Sequence, residues 1–395
     1  MKVFIAGIDG YLGWPLAQYL AARGHQIAGA DLFLRRQWVE EMGGHSAIPV
    51  FTIDERLSAF RRQYHHDVLF RKGDLLDYNF IRDFLSDFQP EAIVHLAEMP
   101  SASYSMIDQA HAAFTQHNNV IGNLNLLWAM KEVCPTAHLI KLGTMGEYGT
   151  PNIDIPEGFF EVEFRGRKDY LPFPRQAGSF YHWSKVYDSQ NTMFACQIWG
   201  LTATDIMQGI VFGTRIDEMR SDPVLRSRLD FDQCFGTVMN RFCCQTVIEH
   251  PLTLYGEGGQ TRGFLPLRDS MQCLAITIEH PPQPGEYRVF NQFDQCYTVE
   301  ELAYMVKQAA MEIGLNIEVC HYDNPRKEFE HHYFNPDRRQ LVALGYRPTH
   351  NLKAEVIQTL EDLLPYKAHI LAKKDALIPD IRWDGSHRRS QIIVK

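Results

Sequence analysis

Nowhere in these 395 residues does an apolar run approach the roughly 20 residues that a membrane-spanning helix needs. Positive charge is also short. Lys and Arg number 39 against 48 Asp and Glu, a net charge of −9, so no broad basic field invites nucleic acid or an anionic membrane. Neither partner is expected, and a small anionic ligand would need a local cationic site. The eight cysteines are scattered, only Cys243 and Cys244 adjoin, and no C-x-x-C pair suggests zinc or redox work. Reduced, mostly buried thiols and no metal are expected. The opening MKVFIAG lacks the basic stretch, apolar core and cleavage site of a secretory signal, so the expected location is cytoplasmic. Low-complexity segments and internal repeats are missing too. Apolar residues are plentiful at 45%, enough for a sizeable core in one large domain or two intimate ones.

Short apolar runs at 2–7, 26–31, 67–74, 91–98 and 137–144 read as strands buried on both faces. Helical spacing fills 13–24 and 119–133 between them. The alternation predicts an α/β fold, a Rossmann-like doubly wound parallel sheet. The connection 32–66 is too long for a turn, and 54–64 within it has the pattern of an amphipathic helix. A further strand over 201–213 is expected to complete the sheet. The dinucleotide domain is therefore placed at 1–213, with 236–250 and 264–281 returning to it. The remainder of 214–395, richer in Pro, Gly and aromatics, is expected to form a smaller mixed α/β substrate-binding lobe. The tail WDGSHRRSQIIVK is expected to be peripheral.

GIDGYLG sets Gly7, Gly10 and Gly13 after a strand and at the opening of a helix. Such a turn lets backbone N–H groups approach a pyrophosphate at the helix N-terminus. Asp31 ends the second strand eighteen residues after Gly13, where a carboxylate accepts from the adenosine ribose hydroxyls and repels a 2′-phosphate. NAD is the expected cofactor. Arg35 and Arg36 lie close enough to grip a phosphate, or else sit on a solvated surface. Asp74 either contacts the adenine amino group or caps a helix. Leu75 and Leu96 are expected beside the cofactor.

In YHWSK, Tyr181 and Lys185 stand at i and i+4 on a predicted helix, hence on one face, 37 residues after Thr144. Lys185 would hold the nicotinamide ribose and lower the tyrosine pKa by its charge. Tyr181 would take a hydroxyl proton while hydride leaves the same carbon, and Thr144 would hydrogen-bond that hydroxyl. With these residues the chain resembles the extended short-chain dehydrogenase/reductase superfamily, which modifies nucleotide sugars. NNVIGNLNLL fits its N-V-x-G-T-x-N helix, which assigns Asn119 a structural or relay part at the cofactor. PLTLYGEGGQTRGFLPLRD (251–269) and NPRKEFEHHYFNPDRRQLVALGYRP (324–348) resemble two of its later segments, which implies that Arg262 and Arg326 grip the substrate diphosphate. Gln208, Arg241, Tyr255 and Gln260 are expected on the same substrate wall. Helices near 105–132 and 179–200 resemble the pair through which this superfamily forms homodimers.

LGTMGEYGTPNIDIPEG, YSMID, TQHNNVIG, GGQTRGF and FNQF look like the UDP-sulfoquinovose synthase family, which joins UDP-glucose and sulfite. The resemblance implies oxidation at sugar C4, elimination across C5–C6, addition of sulfite at C6 and reduction at C4. Common 4,6-dehydratases keep an Asp-Glu pair after the threonine; here Met145 and Gly146 hold those seats, and neither can transfer a proton. Glu147 and His182 are the candidate proton carriers, with Met145 against the sugar. After the fourth strand, EMPSASYSM has Met99 and Pro100 where the synthases read Gln and Arg, leaving Ser101, Ser103 and Tyr104 as polar contacts. Two further readings stand beside the synthase. One is an NAD-dependent epimerase or 5,6-dehydratase of another nucleotide hexose or higher sugar. The other is a catalytically idle NAD-binding regulator.

Overall fold

The computed structural model describes residues 1–220, 222–349 and 351–393. The N-terminal half runs β1 (Lys2–Ala6), α1 (Gly13–Ala21), β2 (Gln26–Asp31), α2 (Leu34–Glu41), α3 (Ile53–Tyr64), β3 (Val68–Lys72), α4 (Tyr78–Phe88) and β4 (Ala92–His95). It continues through α5 (Gln109–Gln116), α6 (Gly122–Val133), β5 (His138–Thr144), a hairpin of β6 (Phe159–Phe164) and β7 (Arg167–Pro172), α7 (Phe180–Trp199) and β8 (Thr202–Gln208). The expected insertion after Asp31 is a pair of helices, and α3 is started by a capping box between Thr52 and Glu55.

The C-terminal half holds β9 (Ile210–Phe212), α8 (Val238–Val247), β10 (Leu252–Tyr255), β11 (Thr261–Pro266), α9 (Leu267–Glu279) and β12 (Tyr287–Gln292). After these come β13 (Gln295–Thr298), α10 (Val299–Glu312), β14 (Val319–Tyr322), α11 (Arg339–Ala343), α12 (Leu352–Leu363), α13 (Lys367–Leu371) and β15 (Ile392–Ile393).

Seven strands form one parallel sheet in the order β3-β2-β1-β4-β5-β8-β12. Strand order reverses between β1 and β4, and that switch point opens a crevice at the strands' carboxyl ends. The seventh strand comes from residues 287–292, beyond the stretch expected to supply the sheet. Packing on one face joins Leu16 and Leu20 of α1 to Met271, Leu274 and Ile278 of α9. The other face packs Phe84, Leu126 and Cys196 against Phe4 and Ile93. Helix α9 thus packs on the sheet beside α1, whereas Phe242, Cys243 and Val247 of α8 lie in a separate core with Leu252, Leu302, Val306 and Leu360. Helix α8 is buried on nearly all sides, among apolar residues that come from both before and after it in sequence, such as Phe212, Phe231 and Leu302.

Two further expectations break at identifiable residues. The run 201–213 is two strands, because Gly209 passes against other backbone: a Cβ there would lie 2.7 Å from the Gly263 carbonyl oxygen. Strand β9 then pairs with β11 in a small sheet. The stretch 105–132 is not one continuous helix. A π-helical turn at His117–Ile121 separates α5 from α6, the kind of irregularity that re-aims side chains at functional sites.

Candidate active site

A cavity of about 940 Å³ opens at the sheet's switch point and reaches into the second lobe. Gly7, Gly10 and Gly13 line it, with Asp31, Arg35, Asp74, Leu75 and Leu96. Gly7 has φ +83°, and a Cβ on it would come 2.8 Å from the backbone carbon of Leu96. Only glycine therefore fits where the turn passes the backbone that follows β4. Asp31 is oriented by two backbone donors: Asp9 N gives to Oδ2 at 2.9 Å and Phe33 N to Oδ1 at 2.7 Å. This lining fits a dinucleotide.

Burial and the nearby Asp9 raise the Asp31 carboxyl to about 6. Ionised Asp31 is the better acceptor for ribose hydroxyls, so NAD affinity is expected to fall as the pH drops through that value. Asp31→Asn is expected to flatten the dependence in an equilibrium NAD titration; a slope unchanged by the substitution would remove Asp31 from the ribose. The two arginines divide. Arg35 lines the cavity, pairs with Asp230 at 2.8 Å and lies over the Phe235 ring. Arg36 is absent from the lining because Asp9 takes its guanidinium through two bonds of 2.8 Å. Arg56 binds the same carboxylate. Asp74 lines the cavity and accepts from Leu76 N at 2.9 Å, so it also shapes the local turn.

Of the two parts open to Asn119, its bonds are those of a structural one, without cofactor contact. Fully buried and away from the cavity, it accepts from Met99 N and donates to Met99 O and Ser184 Oγ. It ties the segment after β4 to α7, while the π turn aims its neighbour Asn118 into the cavity.

Thr144, Met145, Gly146, Tyr181, His182 and Lys185 all line the cavity, so β5 and the first turns of α7 bring the expected redox group together. Ser179 caps α7 by accepting from His182 N at 3.2 Å. Burial pushes the Tyr181 phenol up, and Glu147 and Asp188 add to the effect. Burial pulls Lys185 down to about 8, against Asp188 and Asp205. Burial also pulls His182 down to about 3, assisted by Arg326 and Arg262, so its imidazole is neutral. Ser179 Oγ holds His182 Nδ1 at 3.0 Å. On the other side of the ring, a Cβ built on Gly146 would lie 2.5 Å from Cδ2 and closer still to Nε2. The seat that dehydratases give to a glutamate is thus filled by the His182 ring.

Glu147 is moved out of the proton-carrier role expected for it. It is 0% exposed and absent from the cavity lining. Its carboxylate accepts from Thr144 N at 3.1 Å and Ser189 Oγ at 3.0 Å, and it pairs with Arg175 at 3.3 Å and Lys141 at 3.7 Å. With Thr144 it forms a capping box around the turn carrying Met145 and Gly146. Its work is to fix Thr144.

On the substrate side, Ser101, Gln208, Arg241, Tyr255, Gln260, Arg262 and Arg326 line the cavity as expected, and so does Ser103. Arg262 is held by Glu328 at 2.8 Å, and Arg241 sits 4.2 Å from the centre of the Tyr255 ring. Tyr104 is not there. It packs with Trp38, Met99 and Phe235 in a small apolar cluster and donates to Glu41 at 3.3 Å. Met99 lies wholly inside that cluster, so of the two uncharged seats only Pro100 faces the cavity.

Sequence reasoning passed over Asn118, Lys327 and Trp383, all on the cavity wall, and gave Glu98, also there, no role of its own. Trp383 belongs to the tail expected to be peripheral; its backbone N–H donates to the Pro325 carbonyl at 2.9 Å and β15 pairs with β14, which docks the tail. Glu98 ends the run 95–98 that the sequence sets beside the cofactor, three residues beyond the end of β4.

Residues 3–291 match the NAD dependent epimerase/dehydratase family. The chain is 47% identical to the UDP-sulfoquinovose synthase of Sulfolobus acidocaldarius over 384 residues, 97% of this chain and 98% of that protein. It is 43% identical to the chloroplastic UDP-sulfoquinovose synthase of Spinacia oleracea over 97% of this chain and 79% of that one. The fold is shared with the UDP-glucose 4-epimerase of Thermotoga maritima solved with UDP-glucose, at a TM-score of 0.68 and 19% identity, over 94% of this chain and 100% of that one. A UDP-glucuronic acid 4-epimerase of Bacillus cereus, solved with UDP-glucuronic acid and NAD, superposes at 0.67 with 18% identity, over 92% of this chain and 99% of that one. The chain belongs to the NAD-dependent epimerase/dehydratase family, as an enzyme similar to the UDP-sulfoquinovose synthases.

Proposed function

We propose that this enzyme converts UDP-glucose and sulfite, with one proton, into UDP-sulfoquinovose and water. The observation that carries the reading is the Gly146–His182 arrangement, in which an imidazole occupies the seat of the usual elimination carboxylate. Bound NAD supplies an acceptor and donor of hydride for the sugar C4. Tyr181 takes the C4 hydroxyl proton, Thr144 positions that hydroxyl, and Lys185 favours the phenolate by its charge. Oxidation at C4 acidifies the C5 proton. His182 removes it, the C6 hydroxyl leaves as water with that proton, and hydrogensulfite adds through sulfur at C6 and delivers a proton to C5. Arg262 and Arg326 hold the diphosphate. Both depress the basicity of His182, so a diphosphate that neutralises them strengthens the base when substrate is in place.

The test is mass spectrometry of UDP-glucose incubated with enzyme and NAD, with and without sulfite. A sulfite-dependent mass gain is expected. Inert UDP-glucose beside isomerisation of another nucleotide hexose would replace this reading with the epimerase or 5,6-dehydratase one, which draws support from the uncharged Pro100. Turnover of no sugar would leave the idle regulator.

A homodimer is part of the reading. Phe180, Tyr187, Phe194 and Ile198 are exposed on α7, with Trp128 exposed on α6, an apolar face suited to a second copy. Phe194→Arg is expected to shift the protein to monomer in sedimentation; a wild-type monomer at assay concentration would reject it. A reducing compartment such as the cytoplasm suits the eight unpaired cysteines. Among the described residues no helix is long and apolar enough to cross a membrane.

A further inference from the structure

We infer that Glu98 sets the charge at the nicotinamide end of the site, keeping Lys185 cationic and biasing the enzyme towards the oxidised dinucleotide. This rests on the reading that Lys185 holds the nicotinamide ribose. Glu98 follows β4 and lines the cavity, with its side chain 5% exposed. One carboxylate oxygen is ion-paired with Lys185 Nζ. The other, Oε1, is buried without a hydrogen bond and lies 3.3 Å from His95 Nε2. An unsatisfied buried carboxylate oxygen is costly to a fold. His95 Nε2 beside it is also without a hydrogen bond, so the pairing that holds the carboxylate is the one with the Lys185 ammonium.

The charges around Lys185 single Glu98 out. Lys141 from β5, Glu147 from the following turn and Asp205 from β8 form one buried group. Asp188, on α7 itself, is buried and does not line the cavity. His95 is held well below its usual range by burial, Lys185 and Lys141, so it is neutral and leaves the Glu98 charge in place. Among the described carboxylates around Lys185, Glu98 is thus the one that meets both the ammonium and the ligand space. An oxidised nicotinamide bears a positive charge and a reduced one does not, so a carboxylate there favours the oxidised form. An enzyme that must return its hydride to the sugar in every turnover gains from that bias, because a stranded reduced cofactor would idle it.

The experiment measures the affinities of NAD+ and NADH separately for wild type, Glu98→Gln and Glu98→Asp, with the pH profile of turnover. Glu98→Gln is expected to lower the NAD+ to NADH affinity ratio about tenfold. Glu98→Asp, which keeps the charge, is expected to hold the ratio within about twofold of wild type. The alkaline limb of turnover in Glu98→Gln moves down by about one pH unit, because Lys185 loses its proton sooner. Equal weakening of both dinucleotides, an unchanged ratio, an unmoved limb, or Glu98→Asp matching Glu98→Gln would each overturn the inference. A wild-type protein that binds neither dinucleotide would instead overturn the reading of the site on which it rests.

Discussion

Tyr181→Phe is expected to cut turnover about a thousandfold while leaving the affinity for NAD within about threefold of wild type. The substitution removes one oxygen and keeps the ring. The tyrosine ring lies 5.0 Å from that of His182, and the backbone N–H donates to Ser105 Oγ at 3.0 Å; phenylalanine preserves both. Gly7, Gly10, Gly13 and Asp31, expected to hold the adenosine half, are not contacted by the hydroxyl. The effect should therefore fall on kcat. Burial holds the phenol above its ordinary pKa, so its use as a base depends on the Lys185 ammonium and the positive charge of oxidised cofactor. Turnover in Tyr181→Phe above about a tenth of wild type would assign the proton to another group.

The difference between Tyr181 and the residues read less well is one of distance along the chain. The glycine turn with Asp31, and the Tyr181–Lys185 pair, each express their geometry within a single strand-turn-helix unit or one helix face. Their spacing is their structure. Arg36 and Tyr104 have the right chemistry and the right neighbourhood, but partners remote in sequence claim them. Asp9 takes the guanidinium, and the cluster of Trp38 and Phe235 takes the ring. Glu147 is the carboxylate nearest to the vacant seats in sequence, but the capping box closes the chain into a turn and points it inward. Trp383 reaches the cavity through the docking of the tail on Pro325 and of β15 on β14, which no local pattern announces. The sheet shows the same division. Strands with regular βα spacing are legible, and β12, delivered after the chain has built much of the second lobe, is not.

Gly146→Ala tests the exchange of a carboxylate for an imidazole with a single methyl group. Gly146 is not among the residues of positive φ, so alanine suits its backbone and the cost is steric. The new Cβ would overlap the His182 ring. That ring has little freedom to withdraw, since Ser179 holds Nδ1 at 3.0 Å and the same hydroxyl caps α7. It must rotate away from its cap or shift the first turn of the helix. Thr144, Tyr181 and Lys185 keep their own supports, including the bonds from Glu147 to the Thr144 backbone and from Ser105 to the Tyr181 backbone. The two halves of the reaction should therefore separate. Sulfite-dependent product formation is expected to fall about a hundredfold. Oxidation at C4 should persist, so absorbance of reduced nicotinamide should build up on mixing with UDP-glucose where wild type shows little. Loss of both signals together would mean that the methyl group had disturbed the whole turn. Wild-type product formation would take His182 out of the proton path and leave the vacated carboxylate seat without a catalytic successor.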